Sequence, residues 1–99
     1  VSGIPKHGRR DNNDGELAGT ARQLGWYLYQ TQEPGDYLGC LRARIDRGWF
    51  VIEAKAAKGK LTERQILFRA DCKTWGMPYL VWRCAEDVVL QTNALRLGR

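Results

Sequence analysis

Glu53 and Lys55 stand at the end of the apolar run Trp49-Phe50-Val51-Ile52. Side chains alternate along a strand, so this carboxylate and this ammonium group share one face. Val51 and Ile52 are β-branched and announce a buried strand, where ionisable groups are costly. Either the strand has surfaced and the two form a solvated pair worth little, or charge is needed there. Asp36 is the second acid of interest. Following Pro34-Gly35, it would serve as an ordinary turn residue. In an antiparallel pair, however, the start of one strand lies beside the end of the next. A hairpin would therefore carry Asp36 to the sheet edge where Glu53 and Lys55 emerge.

Two carboxylates at one edge repel unless something positive sits between them. Magnesium suits such a pair, because it binds through one or two carboxylates, keeps several waters and accepts a substrate phosphate. It polarises the phosphoryl oxygen and acidifies a bound water. Lys55 could orient that water, offset charge on a pentavalent transition state, or accept a proton.

The elements that must position these residues are legible along the chain. Asn13 or Asp14 caps a helix running to about Leu24, with Gly25 as its stop. Leu17, Ala21 and Leu24 form its packed stripe, and Glu16, Thr20 and Gln23 lie on another face. Strands are expected at Trp26–Gln32, Tyr37–Arg44 and Trp49–Lys55, joined by turns at Glu33-Pro34-Gly35 and Asp46-Arg47-Gly48. Thr62 caps a helix from Glu63 to about Trp75, stopped by Gly76. Tyr79–Arg83 reads as a buried parallel strand, and a last helix covers Ala85 to about Leu95. The expected fold is α/β: a meander of three strands, then a right-handed helical crossover to a fourth, giving a mixed sheet flanked by helices. Residues 1–13 are read as a flexible basic arm and 14–99 as a single domain.

At this level of detail the chain resembles a known family. Gly35-Asp36-Tyr37-Leu38, Trp49-Phe50-Val51-Ile52-Glu53-Ala54-Lys55 and Gly59-Lys60-Leu61-Thr62-Glu63-Arg64-Gln65 look like the PD-(D/E)xK nuclease superfamily. Within it, they look most like the virus-type replication-repair nuclease (VRR-NUC) domain. The resemblance runs from about Arg9 to Leu90 and implies a restriction-endonuclease-like αβββαβ core with a C-terminal helix. It implies that Asp36, Glu53 and the Ala54 carbonyl bind Mg²⁺ or Mn²⁺. Glu16, on the first helix, would support a second metal or a bound water, and Gln65 would orient the Lys55 region or reach a phosphate. The plain alternatives are a helix N-terminal acid for Glu16 and an ordinary polar helix residue for Gln65. The Gly inserted before Asp36 departs from the family's Pro-Asp motif, and a shift of one residue would reverse the carboxylate's face. Asp46 is the rival acid, in the predicted hairpin loop at the other end of the sheet.

Composition agrees with an anionic partner without specifying one. The 99 residues carry a net charge of +5, with 16 Lys plus Arg, which favours nucleic acid ahead of acidic membrane or protein surfaces. Arg9, Arg10, Lys58, Lys60, Arg64 and Arg69 are the candidate DNA contacts; a solvated charge run is their plain alternative. Trp26, Trp49, Trp75 and Trp82 are expected in the core or at a subunit interface. Cys40, Cys72 and Cys84 form no CxxC pair, so buried free thiols in a cytoplasmic setting are expected, without zinc. No membrane span and no nucleotide cofactor are expected.

The function these readings point to is a metal-dependent deoxyribonuclease. The resemblance further implies a structure-selective endonuclease, working as a homodimer on branched DNA such as four-way junctions. A non-catalytic DNA-binding module with the same fold, or a protein-interaction module meeting an acidic partner, are the alternatives.

Overall fold

The computed structural model describes residues 14–31 and 36–98. The expected arm, with Arg9 and Arg10, lies outside the described residues, as does the Glu33-Pro34-Gly35 turn. Helix α1 (Asp14–Gln23) leads to strand β1 (Trp26–Gln30). Strand β2 (Tyr37–Leu41), a 3₁₀ segment (Arg42–Arg47) and strand β3 (Trp49–Ala54) follow. Helix α2 (Glu63–Thr74), strand β4 (Tyr79–Trp82) and helix α3 (Ala85–Leu97) complete the chain. The result is an α/β fold around one four-stranded mixed sheet of order β1-β2-β3-β4. The first three strands are antiparallel neighbours and β4 runs parallel to β3.

One face of the sheet carries the core. Trp26, Leu28, Tyr37, Leu41, Phe50, Ile52 and Trp82 meet Leu17, Ala18 and Ala21 of α1 and Val88 of α3 there. Trp26 sits edge-on to both Phe50 and Trp82, each with ring centroids 5.3 Å away, and its indole N–H donates to the buried Thr92 hydroxyl at 2.9 Å. That bond removes the cost of burying the indole donor. Gly39 lies under this layer. A Cβ there would come within 2.5 Å of Ile52 Cδ1 and 3.0 Å of both Leu28 Cδ2 and Trp26 Cε3. The opposite face is covered by α2 along β3 and β4, where Phe68 packs on Tyr79.

Three sequence expectations change. The second strand ends at Leu41 rather than Arg44, and a 3₁₀ segment replaces the short hairpin loop. Arg44 explains the departure. Its guanidinium reaches Leu95 O at 2.7 Å and Gly98 O at 2.8 Å, and it forms a two-pronged bond with Asp46. These tethers to the end of α3 draw the segment off the ladder, and Gly48, at φ 72°, returns the chain to β3. Second, β4 is an edge strand with only Trp82 buried. Its apolar sequence reflects helices on both faces, a requirement that edge and central strands share. Third, the cysteines are free but not all buried, since Cys84 is exposed. Trp26 and Trp82 are buried and Trp49 and Trp75 exposed on the single chain, which the expectation of core or interface allows. No helix among the described residues is long and apolar enough to cross a membrane.

Candidate active site

Strand pairing sets the geometry of the acids. Tyr37 lies opposite Ile52 in the β2–β3 ladder, and Asp36 stands just before this first rung, outside the ladder. Backbone bonds fix Asp36 from both sides: its N–H donates to Ile52 O at 2.9 Å, and its carbonyl accepts from Thr31 N–H at 2.9 Å. With its N–H turned to β3 and its C=O to β1, Asp36 does not continue the regular ladder, in which both groups of a residue point to one neighbour. Its side chain still reaches the end of β3: Oδ2 accepts from the Ala54 N–H, and its charge acts on Glu53. Glu53 and Lys55, two residues apart along the chain, share a face. Asp46 is held by Arg44 at the far end of the hairpin, and that hydrogen bond lowers its pKa.

Glu53 is the most unusual residue on this face. It is fully buried although ionisable. Burial, then the charge of Asp36, push its carboxyl up to about 7. In its protonated form it can also donate to Asp36, which raises it further, while Lys55 and the Tyr79 hydroxyl pull the other way. Tyr79 in turn is raised by burial and by Glu53. Gln65 Nε2 donates to Glu53 Oε1 at 3.1 Å, whereas Glu53 Oε2 and the Tyr79 hydroxyl, though close enough to influence one another, make no well-formed hydrogen bond.

Gln65 is placed by the start of α2. Thr62 is the N-cap: its hydroxyl accepts from Gln65 N–H at 3.1 Å, and Gln65 Oε1 accepts from Thr62 N–H at 2.9 Å. This capping box uses the amide oxygen and leaves the amide nitrogen for Glu53. A glutamate would complete the same box but set a second carboxylate against Glu53. The T-x-x-Q spacing thus fixes the helix start and steadies the buried acid together.

Ala54 closes the edge. Its N–H donates to Asp36 Oδ2 at 2.6 Å. In extended backbone the C=O of a residue points to the same side as its N–H, so the Ala54 carbonyl is directed toward the β2 side, where Asp36 sits. Among the described residues no three His, Cys, Asp or Glu side chains converge on one point. Two carboxylates, one buried oxygen without a hydrogen bond and one backbone carbonyl do fit a hard dication that retains several waters.

The remaining predicted site residues divide. Glu16 is exposed on α1, and among the described residues no hydrogen bond joins it to the acid pair. The neighbouring acid Asp14 is the one tied to this end of the sheet, accepting from the Tyr37 hydroxyl at 2.9 Å. Its position at the helix start suggested only a cap. Lys58, Lys60 and Arg64 are exposed on the β3–α2 loop and the first turn of α2. Arg69 is exposed, with its guanidinium 5.8 Å from the centre of the Tyr79 ring. Sequence reasoning missed Arg83. Its guanidinium donates to the carbonyls of Ala56, at 3.1 Å, and Gly59, so it holds the loop that carries Lys58. The parallel β3–β4 register, which brings Arg83 alongside Lys55, was the available signal. Comparison with family models, curated proteins and solved structures gives no match for this chain.

Proposed function

We propose that the protein is a metal-dependent deoxyribonuclease of the restriction-endonuclease-like class. The observation that carries this reading is the Asp36 carboxylate, held on the Ala54 N–H at 2.6 Å, acting on the fully buried Glu53 with Lys55 close by. A surface ion pair has no reason to bury a carboxylate and lift it to about 7; a site that receives a cation does.

Asp36, Glu53 and the Ala54 carbonyl would hold Mg²⁺ or Mn²⁺, which supplies Lewis-acid polarisation of the phosphoryl oxygen and a more acidic water. Gln65 keeps one Glu53 oxygen fixed and leaves the other for the ion. Lys55 orients the attacking water and offsets negative charge growing on phosphorus. Lys58 and Lys60, on the loop held by Arg83, grip the phosphates beside the scissile bond without reading sequence. Glu16 is left with a supporting role at the rim. The resemblance noted above extends the proposal to branched DNA and to a homodimer.

The test is a cleavage panel of linear, flap and four-way DNA with each metal. Chelator-sensitive cleavage is expected. Lys55→Ala and Glu53→Ala should each lose on the order of 100-fold or more in rate while DNA binding persists. Inactivity on every substrate with both metals would leave a DNA-binding module in place of an enzyme.

A further inference from the structure

Among the described residues, the sheet face that carries Glu53 is not covered throughout. Helix α2 lies along β3 and β4. The β1–β2 half presents Tyr27 and Tyr29, 61% and 56% exposed, beside the half-buried Leu38 and Cys40. Tyr27, Cys40 and Trp49 form one row across three strands. The Tyr27 and Trp49 rings meet edge-to-face over it with centroids 6.0 Å apart, and Trp49 is itself 47% exposed. Tyr29, Leu38 and Val51 form the next row, and Glu53 follows Val51 on the same face two residues further along β3. Glu53 lies four steps along the strand from Trp49, about 13 Å.

We infer that this aromatic face is a stacking platform for unpaired nucleotides of a single strand running from the carboxylate pair toward Tyr27 and Trp49. The inference rests on the nuclease reading for its direction, since the platform shares a face with Glu53. Exposed tyrosine and tryptophan rings give every base a π-surface without regard to sequence. Charge decides against a second copy of this chain as the occupant. Exposed Arg42 and Arg47 flank the platform in the segment joining β2 to β3. Two copies meeting here would bring like charges together, whereas a polyanion is attracted.

The test measures anisotropy of a labelled oligodeoxythymidine and of a blunt duplex with the whole protein, in chelator so that nothing is cleaved. Tyr27→Ala with Trp49→Ala should weaken single-strand binding about tenfold or more and leave duplex binding within twofold. Tyr27→Phe with Trp49→Phe should bind like the parent. Four outcomes overturn the inference: unchanged single-strand affinity in the alanine variant, equal losses on both DNAs, no single-strand binding by the parent at low salt, or a parent dimer that the alanine variant dissociates. Absence of cleavage alongside selective single-strand loss would sink the catalytic reading and spare this one.

Discussion

Glu53 is the residue at which folding and chemistry pull apart. Its carboxyl titrates near 7 against an ordinary 4.5, so between those values the folded chain keeps a proton that the unfolded chain has released. Stability therefore falls as pH rises from about 4.5 through 7, and the loss is complete above 7. Glu53→Gln removes that dependence. The variant should be more stable than the parent at pH 8 by about 2 kcal/mol, below the full conversion of about 1.4 kcal/mol per unit, because Lys55 and local relaxation share the load. Urea midpoints at pH 5 and pH 8 measure it. Added Mg²⁺ should raise the parent's midpoint more at pH 8 than at pH 5, since ligation needs the ionised acid, and should not raise that of the glutamine variant.

At the scale of elements, the β2–β3 ladder does the positioning, so an error in its packing propagates to the acids. Gly39 is the point of least tolerance, because any Cβ collides with Ile52, Leu28 and Trp26. Gly39→Ala should cost about 1–3 kcal/mol in denaturant unfolding. Much of this arrangement was legible in the sequence. Alternation predicted the shared face of Glu53 and Lys55, the meander predicted the arrival of Asp36, and T-x-x-Q marked the start of α2. What could not be read rests on contacts between distant segments. Arg44 is drawn off the strand by carbonyls of α3, and Arg83 reaches back to the β3–α2 loop. Tyr79 comes beside Glu53 only through the parallel register, and no local pattern announces it. The edge position of β4 was hidden for a related reason, since coverage by helices on both faces leaves the same apolar imprint as a central place.

For the whole molecule, if the proposed function holds, the excess of 16 Lys plus Arg over 11 Asp plus Glu sets how DNA binding responds to salt. Counterion release makes the logarithm of DNA affinity fall linearly with the logarithm of salt concentration, by about 0.9 for each phosphate neutralised on duplex. Lys58→Ala with Lys60→Ala should therefore reduce that slope by about 2 on duplex DNA. A titration from low to moderate salt reads the change directly, and an unaltered slope would remove this loop from the phosphate path.

The distribution of the four indoles supplies an optical readout that needs no added dye. Trp26 and Trp82 are sealed in the core, while Trp49 and Trp75 are 47% and 84% exposed. Replacing the outer two with phenylalanine would leave an emission spectrum that senses only the interior, blue-shifted and shielded from acrylamide until the chain opens. Restoring Trp49 alone would add one red-shifted emitter on the sheet face beside the acids, so that core and surface can be followed separately in the same cuvette.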